Sequence, residues 1–143
     1  MPRMIFVNLP ISDLDRSIAF YEAIGGTKNP QFSNEKAAAI VFSDSIYVML
    51  LTHDFYRTFT AKEIADPSRM SGVLLALSCD SPADVDAMVE RAVAAGGTAD
   101  PGPKQDFGFM YGRSFEDPDG HVWENVWMNP AVAAGEMEVQ HVG

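Results

Sequence analysis

The chain is poor in three things. It has one cysteine, Cys79, in 143 residues. No intrachain disulfide and no cysteine-rich zinc site can form from it, which fits a reducing cytoplasm. It has no apolar run long enough to span a bilayer, and the apolar stretch in the opening MPRMIFVNLPISD is too short for a signal peptide. It is also short of positive charge, with 10 Lys and Arg against 20 Asp and Glu and a formal net charge of -10. Such a surface repels phosphate backbones and anionic headgroups, so neither nucleic acid nor membrane is expected as a partner. With 47% hydrophobic residues the chain can bury one core, and a soluble cytoplasmic protein with a single domain over residues 1–143 is the expectation.

What the sequence does have is an internal repeat. The tripeptide GGT occurs at Gly25 to Thr27 and again at Gly96 to Thr98. Each copy follows a helical pattern. The first opens at SDLD, with Ser12 as the cap and Asp15 at the capping-box position, and carries Leu14, Ile18, Tyr21 and Ile24 on its apolar side. The second opens at SPAD, with Ser81 as cap, Pro82 at the first helical position and Asp84 closing the box. Val85, Met88, Val89, Ala92 and Val93 form its stripe. A glycine pair suits a left-handed stop after each.

Strand-like segments flank both helices. MIFVNLPI and GVLLALSC precede them. After the first come a short segment near Gln31 and Phe32, then AAAIVF, the turn SDS and IYVMLL. After the second come GTAD, a loop rich in proline and glycine, FGFMYGRSF, the turn EDPDG and HVWENVWM. The order β-α-β-β-β therefore occurs twice, as a duplicated supersecondary unit and not a solenoid of short copies. The copies span 4–51 and 72–128. Between them, 52–71 is a more polar linker with a helical turn expected at TAKE, Thr60 to Glu63. Its His53, Phe55, Tyr56, Arg57 and Phe59 serve either as a lid over a pocket or as a plain connector packed by its aromatics. The tail, 129–143, carries no strong pattern.

NLPISDLDRSIAFYEAIGG, together with the terminal SFEDPDGHVWE, resembles the vicinal-oxygen-chelate superfamily, which includes glyoxalase I, extradiol dioxygenases and the fosfomycin and bleomycin resistance proteins. The resemblance covers roughly residues 4–128 and implies an α+β fold. In it, two βαβββ modules form a curved, mixed, mostly antiparallel sheet around a cavity. It further implies a homodimer, a small-molecule ligand and, in the metalloenzymes of the family, a divalent metal held by residues on the first and last strand of each module. Membership alone names no reaction.

Carried onto this chain, the four ligand positions of the family fall on Asn8, Met49, Leu75 and Glu124. A catalytic zinc or iron site needs about three protein donors of the right type. Glu124 is a good ligand, Asn8 a weak one, Met49 a poor one for a hard ion and Leu75 none at all. A divalent metal is disfavoured on that count, with Glu124 as the one strong candidate.

Without a metal, Glu124 shares a strand face with Val122, Val126 and Met128, and burial there would raise its pKa into the range of a general acid or base. The alternative is a structural glutamate paired with Arg113 or bonded to Asn8. His121 begins the same strand and so falls on the opposite face from Glu124, where a structural role, stacking or bonding to Asp117 or Asp119, suits it. Tyr111 and Arg113 share a face with Phe109 and Phe115. They either offer a phenol and a guanidinium to a small anion or neutralise local acidic charge. Asn8, Phe109, Tyr111, Arg113 and Tyr56 are thus the candidate ligand contacts, and Glu124 the candidate catalytic group. Three functions are open at this point: an enzyme acting on a small oxygenated substrate, a non-catalytic binding or sequestering dimer of the resistance type, and a dimer without cavity chemistry.

Overall fold

Alternation and caps decide the elements of the chain, seen in a computed structural model that describes residues 3–135. The order is β1 (Ile5–Ile11), α1 (Leu14–Ala23), β2 (Thr27–Asn29), a 3-10 turn (Pro30–Phe32), β3 (Ala37–Val41), β4 (Ile46–Thr52) and α2 (His53–Tyr56). It continues with β5 (Leu75–Ser78), α3 (Pro82–Ala94), β6 (Thr98–Ala99), β7 (Gln105–Asp106), β8 (Met110–Glu116), β9 (Val122–Met128) and α4 (Pro130–Ala133). The βαβββ order is present twice, with β7 added in the second copy. The fold is α+β. One sheet runs β1-β4-β3-β2 and the other β5-β9-β8-β6 with β7 also on β8. In each, the strand before the helix lies parallel to the last strand of its module, β1 on β4 and β5 on β9, and the other pairs are antiparallel.

The caps follow the sequence at α3 and depart from it at α1. Ser81 accepts from the Asp84 amide at 3.1 Å, with Pro82 in the first turn. At α1 the cap is Asp13, accepting from the Arg16 amide at 3.1 Å, one residue beyond the expected Ser12. Ser12 is drawn off because its hydroxyl donates to Asp119 in the second module at 2.6 Å. The helical turn expected at Thr60 to Glu63 is absent, and the short helix lies earlier, at α2, capped by the Thr52 hydroxyl.

Both glycine pairs divide their work in the same way. Gly25 and Gly96 take φ of 110° and 103°, the left-handed stop that a side chain resists. Gly26 and Gly97 are needed for space. A Cβ on Gly97 would stand 2.5 Å from the Glu116 carbonyl and 2.9 Å from the Phe20 ring, and one on Gly26 would strike Ile40.

The core joins the two modules. Leu9, Ile11, Ala38, Ile40, Val48 and Leu50 from the first sheet, and Phe20, Tyr21 and Ile24 from the α1 region, form one cluster with Ala92, Phe115 and Trp123 of the second module. Phe20 packs on Phe115 with ring centroids 5.8 Å apart. The two sheets thus share a core through their helix-bearing faces. Their opposite faces, carrying Asn8 on one and Glu124 on the other, point away from it.

The turn Asp117 to Gly120 fastens this arrangement. Asp117 is 3% exposed, and its Oδ1 accepts from the backbone N–H of Asp119, Gly120 and His121 at 3.0, 2.9 and 2.8 Å. Its Oδ2 accepts from the Tyr21 hydroxyl of the first module at 2.6 Å, and the Tyr21 oxygen accepts from Trp123 Nε1 at 3.0 Å. Burial pushes the Asp117 carboxyl above its ordinary range, while the neighbouring His121 and the donors from Tyr21 and the His121 backbone pull the other way. Burial and the neighbouring Asp117 charge push the Tyr21 phenol well up, so it remains a donor.

Two substitutions test this account by urea unfolding. Gly97→Ala should destabilise by about 1–3 kcal/mol, because backbone and a core ring must move. Tyr21→Phe should cost a similar ~1–3 kcal/mol, since it strips a donor from the buried Asp117 and an acceptor from Trp123. A midpoint within error of the parent for Tyr21→Phe would show that the turn is not a fastening point.

Candidate functional site

The hairpin of β8 and β9 sets out the floor of a cavity. Its register pairs Ser114 with Glu124 and Glu116 with Val122. Because Phe115 and Trp123 face the core, these four point to the other side. There they line a cavity of about 740 Å³ whose other walls are β1, with Asn8 and Pro10, the turn residues Gly120 and His121, the loop Pro101 to Pro103, the linker from Tyr56 on, and the approach to β5 as far as Leu75. The linker contributes Lys62, Glu63, Arg69 and the stretch 70–74. It passes so close to the turn that a Cβ on Gly120 would stand 2.8 Å from the Pro67 carbonyl and from Ser68.

Of the residues singled out in the sequence, Asn8, Tyr56, Leu75 and Glu124 meet at this cavity. Met49 does not line it, although it is the strand neighbour of Asn8. Leu75 needs a correction of register. It pairs with Trp123 and packs against the core, and the residue beside Glu124 on β5 is Ala76. Neither donates to a metal. Asn8 is exposed, and its amide nitrogen lies 3.4 Å from the Phe6 carbonyl oxygen. Among the described residues no group of three or more His, Cys, Asp or Glu could hold a metal ion. One carboxylate with one weak amide donor does not fit a catalytic divalent metal.

Tyr111 and Arg113 lie on the helix-bearing side and are already engaged. Arg113 holds Asp100 through two bonds, 3.0 Å from Nε and 2.7 Å from Nη2, and reaches Asp86 at 2.9 Å. Tyr111 donates to the same Asp86 oxygen at 2.7 Å. Tyr111 first, then Arg113, hold the Asp86 carboxyl below the usual range, and Arg113 holds Asp100 down in the same way. The Arg113 guanidinium is held up in turn, chiefly by Asp100. Phe109 stacks on Phe107, with centroids 6.2 Å apart, away from the cavity. The neutralisation of acidic charge is thus what these side chains do, and an anion site built from them would have to displace Asp86 and Asp100.

Glu124 is half-buried and forms no ion pair among the described residues. The expected partners are elsewhere: Arg113 is on the opposite face and Asn8 bonds its own strand. The expected opposite facing of His121 and Glu124 is overturned: His121 stands just before β9, where strand alternation does not set its direction, and it lines the same cavity as Glu124. Its backbone N–H meets Asp117 as expected of the residue, but its ring turns elsewhere, with Nε2 2.8 Å from the Pro10 carbonyl oxygen. Ser114, Glu116 and His121 were not singled out as cavity residues. The first two follow from Glu124 once the hairpin register is known.

Two βαβββ modules with a cavity on the strand face away from the helices define a glyoxalase-like fold. The chain belongs to the Glyoxalase/Bleomycin resistance protein/Dioxygenase superfamily, whose sequence profile matches residues 3–125. Solved structures agree. A hypothetical protein from S. aureus is 25% identical with a TM-score of 0.73, over 89% of this chain and 95% of that one. A glyoxalase-related enzyme from Fulvimarina pelagi is 25% identical with a TM-score of 0.74, over 92% and 91%. The fosfomycin resistance protein FosX from Mesorhizobium loti, at 18% identity and a TM-score of 0.62 over 94% and 96%, shares the fold. No curated protein matches the chain in sequence.

The Arg113 cluster gives a pH prediction. Carboxyls held low in the folded state add stability that is present above their unfolded pKa and is lost as pH falls through their folded values. Arg113→Met should therefore lower the thermal midpoint at neutral pH, and the gap to the parent should narrow as pH drops below about 4. A gap that stays constant on acidification would separate the loss from the ion pairs.

Proposed function

We propose that the chain binds a small oxygenated molecule in the cavity over β8 and β9 without a resident metal, and that Glu124 touches the ligand as hydrogen-bond acceptor and, where the ligand is turned over, as proton acceptor or donor. The observation that carries this is the Glu124 carboxylate, unpaired at the floor of a cavity of about 740 Å³ while every strong cation of the same hairpin is spent on the other face. A cavity of that size suits a metabolite-sized ligand. A binding or sequestering role without turnover uses the same contacts, and the absence of a fitting metal set among the described residues favours it over metal-assisted chemistry.

A homodimer in the cytoplasm is part of the proposal. β1 and β5 are edge strands, and they carry exposed Ile5 and Phe6 and, just before β5, Val73 and Leu74 at 57%, 51%, 57% and 58% exposure. Open apolar edges of this kind invite a second copy. No helix among the described residues is long and apolar enough to cross a membrane.

The test uses protein purified without an affinity tag, treated with chelator, and screened against small oxygenated metabolites by ligand-observed NMR. Binding should survive chelation, and Glu124→Gln should weaken it about tenfold, the loss of one charge-assisted hydrogen bond. A stoichiometric metal in the untreated protein that disappears in Glu124→Gln would overturn the metal-free assignment. Unchanged binding in that variant would remove Glu124 from the site.

A further inference from the structure

The charge and donor pattern of the cavity narrows the ligand class. Proline carbonyl oxygens only accept, so the 2.8 Å contact between His121 Nε2 and the Pro10 oxygen requires the proton on Nε2. In the neutral ring Nδ1 is then an acceptor. No hydrogen bond among the described residues uses it, and it is not among their buried side-chain polar atoms without a partner, so solvent reaches it on a residue that lines the cavity. Two further acceptors share that space. Glu124 lies across from Ser114, and Glu116, two residues along the same strand, is its diagonal neighbour at about 7–8 Å. Neither forms an ion pair among the described residues. Lys62 and Arg69 also reach the cavity, but both are exposed and belong to the linker, beside Glu63.

We propose that this cavity selects a neutral or cationic molecule rich in hydrogen-bond donors, an amino alcohol or polyol, received by His121 Nδ1, Glu116 and Glu124, and that it discriminates against anions. The proposal rests on the assignment of the cavity as a small-molecule site. Pro10 belongs to the first module and His121 to the second, so the contact between modules fixes which ring nitrogen faces the ligand. On the strand floor an anion would meet two carboxylates and a lone pair, with Lys62 and Arg69 only on the exposed linker wall.

The experiment is nitrogen-15 NMR of the His121 ring in the full chain, first alone and then with three probes. At about pH 8 the neutral ring should carry its proton on Nε2. N-methylglucamine or uncharged sorbitol should shift the His121 ring saturably, Glu124→Gln or Glu116→Gln should weaken N-methylglucamine about tenfold, and methylphosphonate should leave the ring unmoved. The two glutamine variants leave the core untouched, so weaker binding in them reports the site and not the fold. A proton on Nδ1 would overturn the proposal without any ligand. Saturable binding of methylphosphonate at His121 would overturn the ligand class while leaving the cavity a small-molecule site. Failure of all three probes to move the ring would sink both.

Discussion

The buried carboxylate of Asp117 is the constraint on which the arrangement depends. It takes up three backbone N–H groups of its own turn and the Tyr21 hydroxyl from the other module. Asp119 beside it takes the Ser12 amide and hydroxyl. Two residues of one turn thus hold the start of α1, the middle of α1 and, through His121, the end of β1. An unpaired carboxylate at 3% exposure would cost several kcal/mol. That cost, offset only when both modules are in place, ties the packing of the repeats to one geometry.

Much of this was legible in the sequence because independent local signals agreed. The cap at Ser81 and Pro82, the glycine pairs, and the alternating run around Asn8 each bound an element, and the glycine pairs recurred in both copies. The polar Asn8 between Val7 and Leu9 showed which side of β1 leaves the core. The corresponding strand of the second copy gives no such mark. In GVLLALSC both sides are apolar, with Val73 and Leu74 exposed and Leu75 and Leu77 packed on the core, so parity was open and the equivalence slipped by one residue.

Which side of β8 meets the core stayed open for a related reason. Tyr111, Arg113 and Phe115 do share a side, as their spacing requires, but the buried Phe115 makes it the core side. What draws a guanidinium there is Asp86 on α3 and Asp100 in a loop, contacts across 27 and 13 residues that no local pattern reveals. A cavity was expected, but the make-up of its wall was beyond the sequence for the same physical reason. Most of its wall is the linker, whose placement is set by the close passage of Pro67 and Ser68 over Gly120, and nothing in an irregular polar segment announces such a contact.

That passage separates two things that usually go together. The core is built from the modules and is sealed by the turn, with no need of the segment that connects them. The cavity is enclosed by that very segment. The core cluster takes no residue from that segment and the cavity takes many, so a rearranged gene that joined the second module ahead of the first would disturb the container before the core.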